Sequence, residues 1–287
     1  MTEEQTAASD AALGTNRYGK SAIRLVKIVR GPDGHAVRDL TVAISLEGDF
    51  ASSYVDGDNS LVVATDTMKN TVYAFAREHL TGAVEAFGTV LARHFVAVPQ
   101  VERATVSIEE HAWRPIGPTG AAADSFSRDR SSTRTAVVAA TRDEVTVDAG
   151  IADLTLMKTA KSAFSGFPRD EYTTLPDTDD RIMATKLSAT WRYIDETDFE
   201  VSFDAIVRTL LEVFAEHESA SVQHSIWIIG RAIVDRHPEV AEVTMTLPNL
   251  HHWLADLSPF GQPNDREIFI ATTEPHGLIQ ATVRRSD

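Results

Sequence analysis

The feature that most constrains this chain is an apolar pattern that runs through one cycle and then repeats: two strands, two helices and two strands, twice over. Residues 23–29 form an apolar run broken only by Arg24 and Lys27. Residues 40–46 follow it after Gly31-Pro32-Asp33-Gly34, a cluster that reads as a hairpin turn. Helical spacing then predicts helices over 67–77 and 84–95, the second with Val84, Phe87, Leu91 and Phe95 on one face. Ala104, Val106 and Ile108 alternate with polar neighbours as in a half-buried strand. Residues 117–133 read as an exposed loop, and residues 135–147 as the returning strand. In the second half Leu154 and Leu156 open a strand, and Leu187, Ala189, Trp191 and Tyr193 alternate in the next. Helical stripes follow at Phe203, Ile206, Leu210 and Phe214, then at Val222, Ile226, Ile229 and Ile233. A hairpin with its turn at Pro248-Asn249 and a last strand over 278–283 close the cycle.

Two ββααββ units in tandem define an α+β chain, with modules expected over 17–150 and 151–287 after a disordered tail at 1–16. Each unit would be an antiparallel sheet with helices on one face, which leaves sheet edges to be covered.

Charge and cysteine content limit what such a chain can do. With 27 basic against 42 acidic residues the formal charge is −15, which argues against nucleic acid as the main partner. An anionic ligand would need local cations and backbone N–H groups to overcome that background. No apolar run is long enough to span a membrane. The acidic N-terminus is no signal peptide, and the chain contains no cysteine. A cytoplasmic address is expected.

Six stretches carry polar groups where chemistry is possible. Lys20 stands at a strand entry, where a solvated lysine is the ordinary reading. Thr65 and Asp66 begin a helix directly after an apolar strand, as capping residues or as a rim of free N–H groups that binds an anion. Phe167 sits in the Gly/Pro loop Phe164-Ser165-Gly166-Phe167-Pro168, where it reads first as a packing anchor. Arg181 follows Asp179-Asp180 and reads either as a local ion pair or as a planar two-point clamp. Val222 and Gln223 follow Ser221 at a second helix start, with serine as the expected cap. Asn249 and His251 flank Leu250 beside the predicted turn. His251-His252 lacks the spacing of a metal pair.

In this order, with Tyr172-Thr173-Thr174-Leu175 and Gly277-Leu278-Ile279 also matching, these stretches resemble the signatures of the urate oxidase, or uricase, family. The resemblance covers residues 18–284. It implies oxidation of urate by dioxygen and water to 5-hydroxyisourate and hydrogen peroxide, with no cofactor and no metal. It also implies the tunnelling fold (T-fold), in which subunits join their sheets into a barrel with helices outside and two barrels stack as a homotetramer. Lys20, Thr65 and His251 would form a catalytic proton relay. Thr65 and Asp66 would present N–H groups to the substrate, Phe167 would stack on it, and Arg181 would clamp its edge. The Val222 N–H and the Gln223 side chain would read the opposite edge, and Asn249 would place dioxygen over the ring. Lys20 and Thr65 would come from one chain, and Phe167, Arg181, Gln223, Asn249 and His251 from its neighbour. This chain departs from the family at Leu250, where lysine is usual, and so lacks one charge near the anion. It ends Arg284-Arg285-Ser286-Asp287 rather than in a peroxisomal Ser-Lys-Leu signal. The rival implication of the fold is a purine- or pterin-binding protein or a cyclohydrolase-like enzyme. The missing cysteines and clustered histidines count against the zinc such an enzyme needs.

Overall fold

The structure, a computed structural model, describes residues 11–32, 34–117 and 124–286. Most of the tail expected at 1–16 therefore lies outside the described residues. The elements are β1 (Tyr18–Gly31), β2 (Gly34–Gly48), α1 (Ala51–Val55), α2 (Thr65–His79), α3 (Val84–Val96), β3 (Val101–Glu110), β4 (Trp113–Pro115), β5 (Phe126–Arg128) and β6 (Thr133–Ala140). They continue as β7 (Val145–Lys158), β8 (Met183–Tyr193), α4 (Phe199–Glu216), α5 (Val222–Arg236), β9 (Val240–Leu250), β10 (His252–Leu254), β11 (Phe269–Ala271) and β12 (Gly277–Arg284). Eight strands make one sheet in the order β1-β2-β3-β6-β7-β8-β9-β12, every neighbouring pair antiparallel. Among the described residues no helix is long and apolar enough to cross a membrane.

Alternation decides which face is covered. Leu40, Val42, Ile44 and Leu46 of β2, Leu187, Ala189 and Trp191 of β8, and Val243, Met245 and Leu247 of β9 are buried under the helices. The helices answer with Met68 and Val72 of α2, Phe87 and Leu91 of α3, Ile206 and Leu210 of α4, and Ile229 and Ile233 of α5. Residues of the opposite face, such as Thr41, Ser45, Thr105, Ser107 and Thr244, are small, polar and only partly covered.

The repeat is written into the strands as well as the element order. Gly19, Ala22 and Lys27 of β1 stand at the same spacing as Gly150, Asp153 and Lys158 of β7. At both glycines a Cβ would strike the neighbouring strand, 1.8 Å from the Ile44 carbonyl oxygen and 2.5 Å from that of Ala189. Ala22 (φ 55°) and Asp153 (φ 62°) take the left-handed conformation at matching bulges. Lys27 donates to the Ala76, Arg77 and Leu80 carbonyls at the end of α2. Lys158 donates in the same way to Phe214 and Ala215 at the end of α4. Each ammonium satisfies orphan carbonyls at the negative end of its helix.

Three expectations fail for identifiable reasons. Residues 135–147 are not one strand: β6 and β7 reverse through Thr141–Glu144, where Glu144 and Thr141 bond each other. That turn has no glycine or proline to announce it. Pro248-Asn249 is not a turn but part of β9, with Asn249 opposite both Thr185 and Gly277. The missing Pro248 N–H is accommodated because the β8–β9 pairing lapses there while the β12 side continues. The loop at 117–133 contains β5, which pairs with β4. Residues 118–123 of that loop lie outside the described residues.

Candidate active site

The first cluster lies where β1 enters the sheet. Lys20 is opposite Ile44, whose side chain is buried beneath the helices, so Lys20 faces the helix layer at the start of α2. The Tyr18 hydroxyl accepts from the Val63 N–H at 2.8 Å and lies 3.2 Å from the Val63 carbonyl, which ties β1 to the segment leading into α2. The N-cap of α2 is Ala64, and no side chain caps the helix. Thr65 and Asp66 are therefore its first two residues and not its caps, as local sequence had suggested. The Asp66 carboxylate bonds Lys69 and, at 2.9 Å, Asn70. Its pKa is pushed down mainly by Lys69, with Lys20 adding to the effect.

The second cluster gathers at the start of α5. Ser221 caps this helix by accepting the His224 N–H at 3.1 Å, as expected of a serine there. The N–H groups of Val222 and Gln223 are left pointing out of the helix start. Asn249 is buried and shares the helix-facing side of the sheet with Thr185, whose buried hydroxyl has no hydrogen-bond partner. His251 continues that side. Burial, followed by the charge of Arg181, pushes its pKa below the ordinary histidine value, so the imidazole is held neutral at pH 7.

Arg181 is the clearest departure from a structural reading. Among the described residues no carboxylate lies within ion-pair distance of its guanidinium, and Asp180 turns to Arg266 instead. The Arg181 Nε is buried without a hydrogen-bond partner. Its guanidinium lies over Phe164, 5.1 Å from the ring centroid, and Phe164 stacks on Phe167 at 4.9 Å with 15° between planes. Phe164 thus lies against Arg181, while Phe167 has the Arg169 guanidinium over its own ring, 5.0 Å from the centroid. The Phe-Ser-Gly-Phe spacing places both rings in the same loop, so Phe164 joins Phe167 as an aromatic of this cluster.

Within one chain the two clusters do not meet. β1 is one edge of the sheet, and β9 is six strand steps away, roughly 30 Å at about 4.8 Å per step. Lys20, Thr65 and Asp66 form one group. Phe164, Phe167, Arg181, Val222, Gln223, Asn249 and His251 form the other. Among the described residues no three His, Asp or Glu side chains are grouped to hold a metal ion.

A uricase family model matches residues 16–139 and 147–280. The uricase of Arthrobacter globiformis is 44% identical over 286 residues, covering 99% of this chain and 93% of that protein. The uricase of Dictyostelium discoideum is 38% identical over 282 residues, covering 96% of this chain and 98% of that one. The crystal structure of the Arthrobacter globiformis uricase superposes with a TM-score of 0.92 at 44% identity, covering 96% of each chain. A uricase structure from Bacillus fastidious superposes at 0.81 with 26% identity, covering 95% of this chain and 94% of that one. With its repeated α+β modules and these matches across nearly its whole length, the chain belongs to the uricase family.

Proposed function

We propose that this protein is a cytoplasmic urate oxidase that works without metal or organic cofactor, at sites completed between subunits of a homotetramer. The observation that carries the reading is Arg181, a half-buried guanidinium with no carboxylate partner among the described residues, set against Phe164 beside a partly buried His251 and the open start of α5. A buried cation without a counter-ion is costly unless a ligand supplies the charge. A planar anion does so with two parallel hydrogen bonds to the fork. The Val222 N–H and the Gln223 amide complement its far edge. The Phe164–Phe167 pair offers a π-face.

Dioxygen reacts slowly with closed-shell molecules, so an electron-rich partner is required, and deprotonated urate is one. The protein then has to bind the anion, move protons and hold dioxygen over the ring at Asn249. A neutral His251, Thr65 and Lys20 together can pass a proton and activate the water that replaces a ring hydroperoxide. Urate, dioxygen and water thereby balance as 5-hydroxyisourate and hydrogen peroxide.

The chain supports the shared site through its own internal junction. Where β6 meets β7, the start of α3 (Val84, Glu85) faces the start of α4 (Phe199, Glu200), and Arg134 bridges them. Arg134 donates to Glu85 at 2.7 Å and to Glu200 at 2.9 Å while lying 4.1 Å from the Phe203 centroid. In the repeat, α3 corresponds to α5 and α4 to α2. Val222 and Gln223 therefore correspond to Val84 and Glu85, and Thr65 and Asp66 to Phe199 and Glu200. At the spacing of the repeat Lys20 corresponds to Ile151, which pairs with Arg134. Pairing β12 of one subunit with β1 of the next would reproduce this junction, with a planar anion in the place of the guanidinium. Both strands are unpaired edges with apolar side chains exposed, Val26 at 57% and Leu278 at 68%.

The test is turnover. Purified protein should remove urate absorbance in air and release one hydrogen peroxide per urate. Urate binding without turnover would favour the purine-binding alternative and contradict this reading.

A further inference from the structure

His217 has no place in the relay, yet it ends α4 in the middle of a buried polar chain that reaches the substrate end of α5. Its Nδ1 lies 2.7 Å from the Val213 carbonyl, which can only accept, so this nitrogen carries a proton. Burial pushes the ring's pKa down, and the Val213 carbonyl opposes that shift while the charge of Lys158 adds to it. A neutral ring then presents a lone pair at Nε2, and Ser225 Oγ donates to it at 2.8 Å. The Ser225 oxygen lies 2.8 Å from Ser219 Oγ, and both hydroxyls are also within hydrogen-bond reach of the Ser221 carbonyl, at 3.2 Å and 3.0 Å, so the three groups form one cluster at the entry to α5. Both serines are buried, at 0% and 2% exposure, so water does not compete for these hydroxyls.

The two serines belong to different parts of the site. Ser225 lies in the first turn of α5, where its N–H bonds the Ser221 carbonyl at 3.0 Å. Ser219 is a rung beside residues 161–163: its N–H donates to Lys161 O at 2.9 Å and its carbonyl accepts from Ala163 N–H at 2.7 Å. Between those two bonds the Ser162 carbonyl accepts the Arg181 N–H at 2.7 Å. On its other side Arg181 runs into β8 two residues later, and Arg266 donates to the neighbouring Asp180 carbonyl at 2.6 Å. Of these contacts the hub is the one that joins the Arg181 backbone to the segment entering α5, so it bears directly on the spacing between the Arg181 fork and the Val222 and Gln223 donors.

We propose that His217 is a positioning residue for substrate binding, holding through Ser225 and Ser219 the separation between the start of α5 and Arg181 that a planar anion must span. The inference rests on the functional reading above, which assigns those two groups to opposite edges of one ligand.

Two half-replacements of the imidazole separate this role from a merely structural one. His217→Asn can still donate to Val213 but is too short to reach Ser225, whereas His217→Gln places an acceptor near the Nε2 position. Urate affinity should be measured by titration without dioxygen, and KM and kcat in air. His217→Asn should raise both the anaerobic Kd and KM about tenfold, the size of one well-placed hydrogen bond, and keep kcat within about twofold. Ser225→Ala should match it, and His217→Gln should bind urate within about threefold of the unmodified protein. An unchanged Kd in His217→Asn, or an equal loss in His217→Gln, would overturn the proposal, since a stability role moves the melting temperature without moving the Kd of folded protein. Absence of urate binding by the unmodified protein would overturn the functional reading as well.

Discussion

Thr65→Ala is expected to cut urate turnover by about 10²- to 10⁴-fold, the usual loss for a missing acid–base group, with little change in thermal stability. The two effects are separable here because of where the residue sits. A capping threonine would cost about 1 kcal/mol on truncation, and part of any activity loss would then be unfolding. In this chain the cap position is Ala64, and no side chain caps α2. Alanine is also the better helix former at the first helical position. Stopped-flow turnover, anaerobic urate affinity and the melting temperature of one preparation decide the matter. The expected pattern is collapsed kcat with urate still bound and the melting temperature within a few degrees. Activity that falls only as far as the folded fraction falls would remove Thr65 from the relay.

The second large effect is on stability, at the internal junction. Arg134→Leu should cost about 3–5 kcal/mol, because it strands the Glu85 carboxylate in the protein interior. Glu85 is 0% exposed, and burial already pushes its pKa up against the opposing pull of Arg134. Removing the arginine raises that pKa further. A carboxyl whose folded pKa lies above its unfolded one binds protons more tightly when folded. The stability of the variant should therefore fall as pH rises from the unfolded carboxylate range through the folded pKa, and the deficit should shrink in acid. Denaturant unfolding at pH 5 and pH 8 would show this as a smaller gap from the unmodified protein at the lower pH. Adding Glu85→Gln should recover most of the loss at pH 8. A deficit independent of pH, or no recovery in the double variant, would mean that the cost is packing against Phe203 alone.

How much was legible beforehand follows from how local each signal is. Strands such as β8 and helices such as α3 and α5 declare themselves by period, and Ser221 declares itself as a cap. The reversal between β6 and β7 does not, because a Thr-Arg-Asp-Glu turn carries no glycine or proline. Pro248-Asn249 looked like a turn because proline usually leaves a ladder. Its strand assignment depends on β12, a partner distant in sequence. The repeat was legible as an element order, but Gly19 with Gly150 and Lys27 with Lys158 become a pattern only once each pair makes the same contact. The candidate site was read stretch by stretch through a family resemblance. That resemblance already implied two groups, whereas the absence of a carboxylate partner for Arg181 among the described residues and the place of Phe164 against it required tertiary structure. A short motif does not state which carboxylate an arginine avoids.

The central claim, urate oxidation at a site completed by two subunits, is tested most directly by mixing two broken chains. Lys20→Ala removes the first cluster's lysine and Arg181→Ala the second cluster's clamp, so neither variant alone should turn over urate. Co-refolded, they should regain activity, with roughly a quarter of sites receiving both intact halves if subunits assort at random in a symmetric assembly. Native mass spectrometry of the same sample would establish that mixed oligomers formed. Recovered turnover near that fraction is the predicted result. Mixed oligomers that stay inactive would contradict the account and require a site built within a single chain.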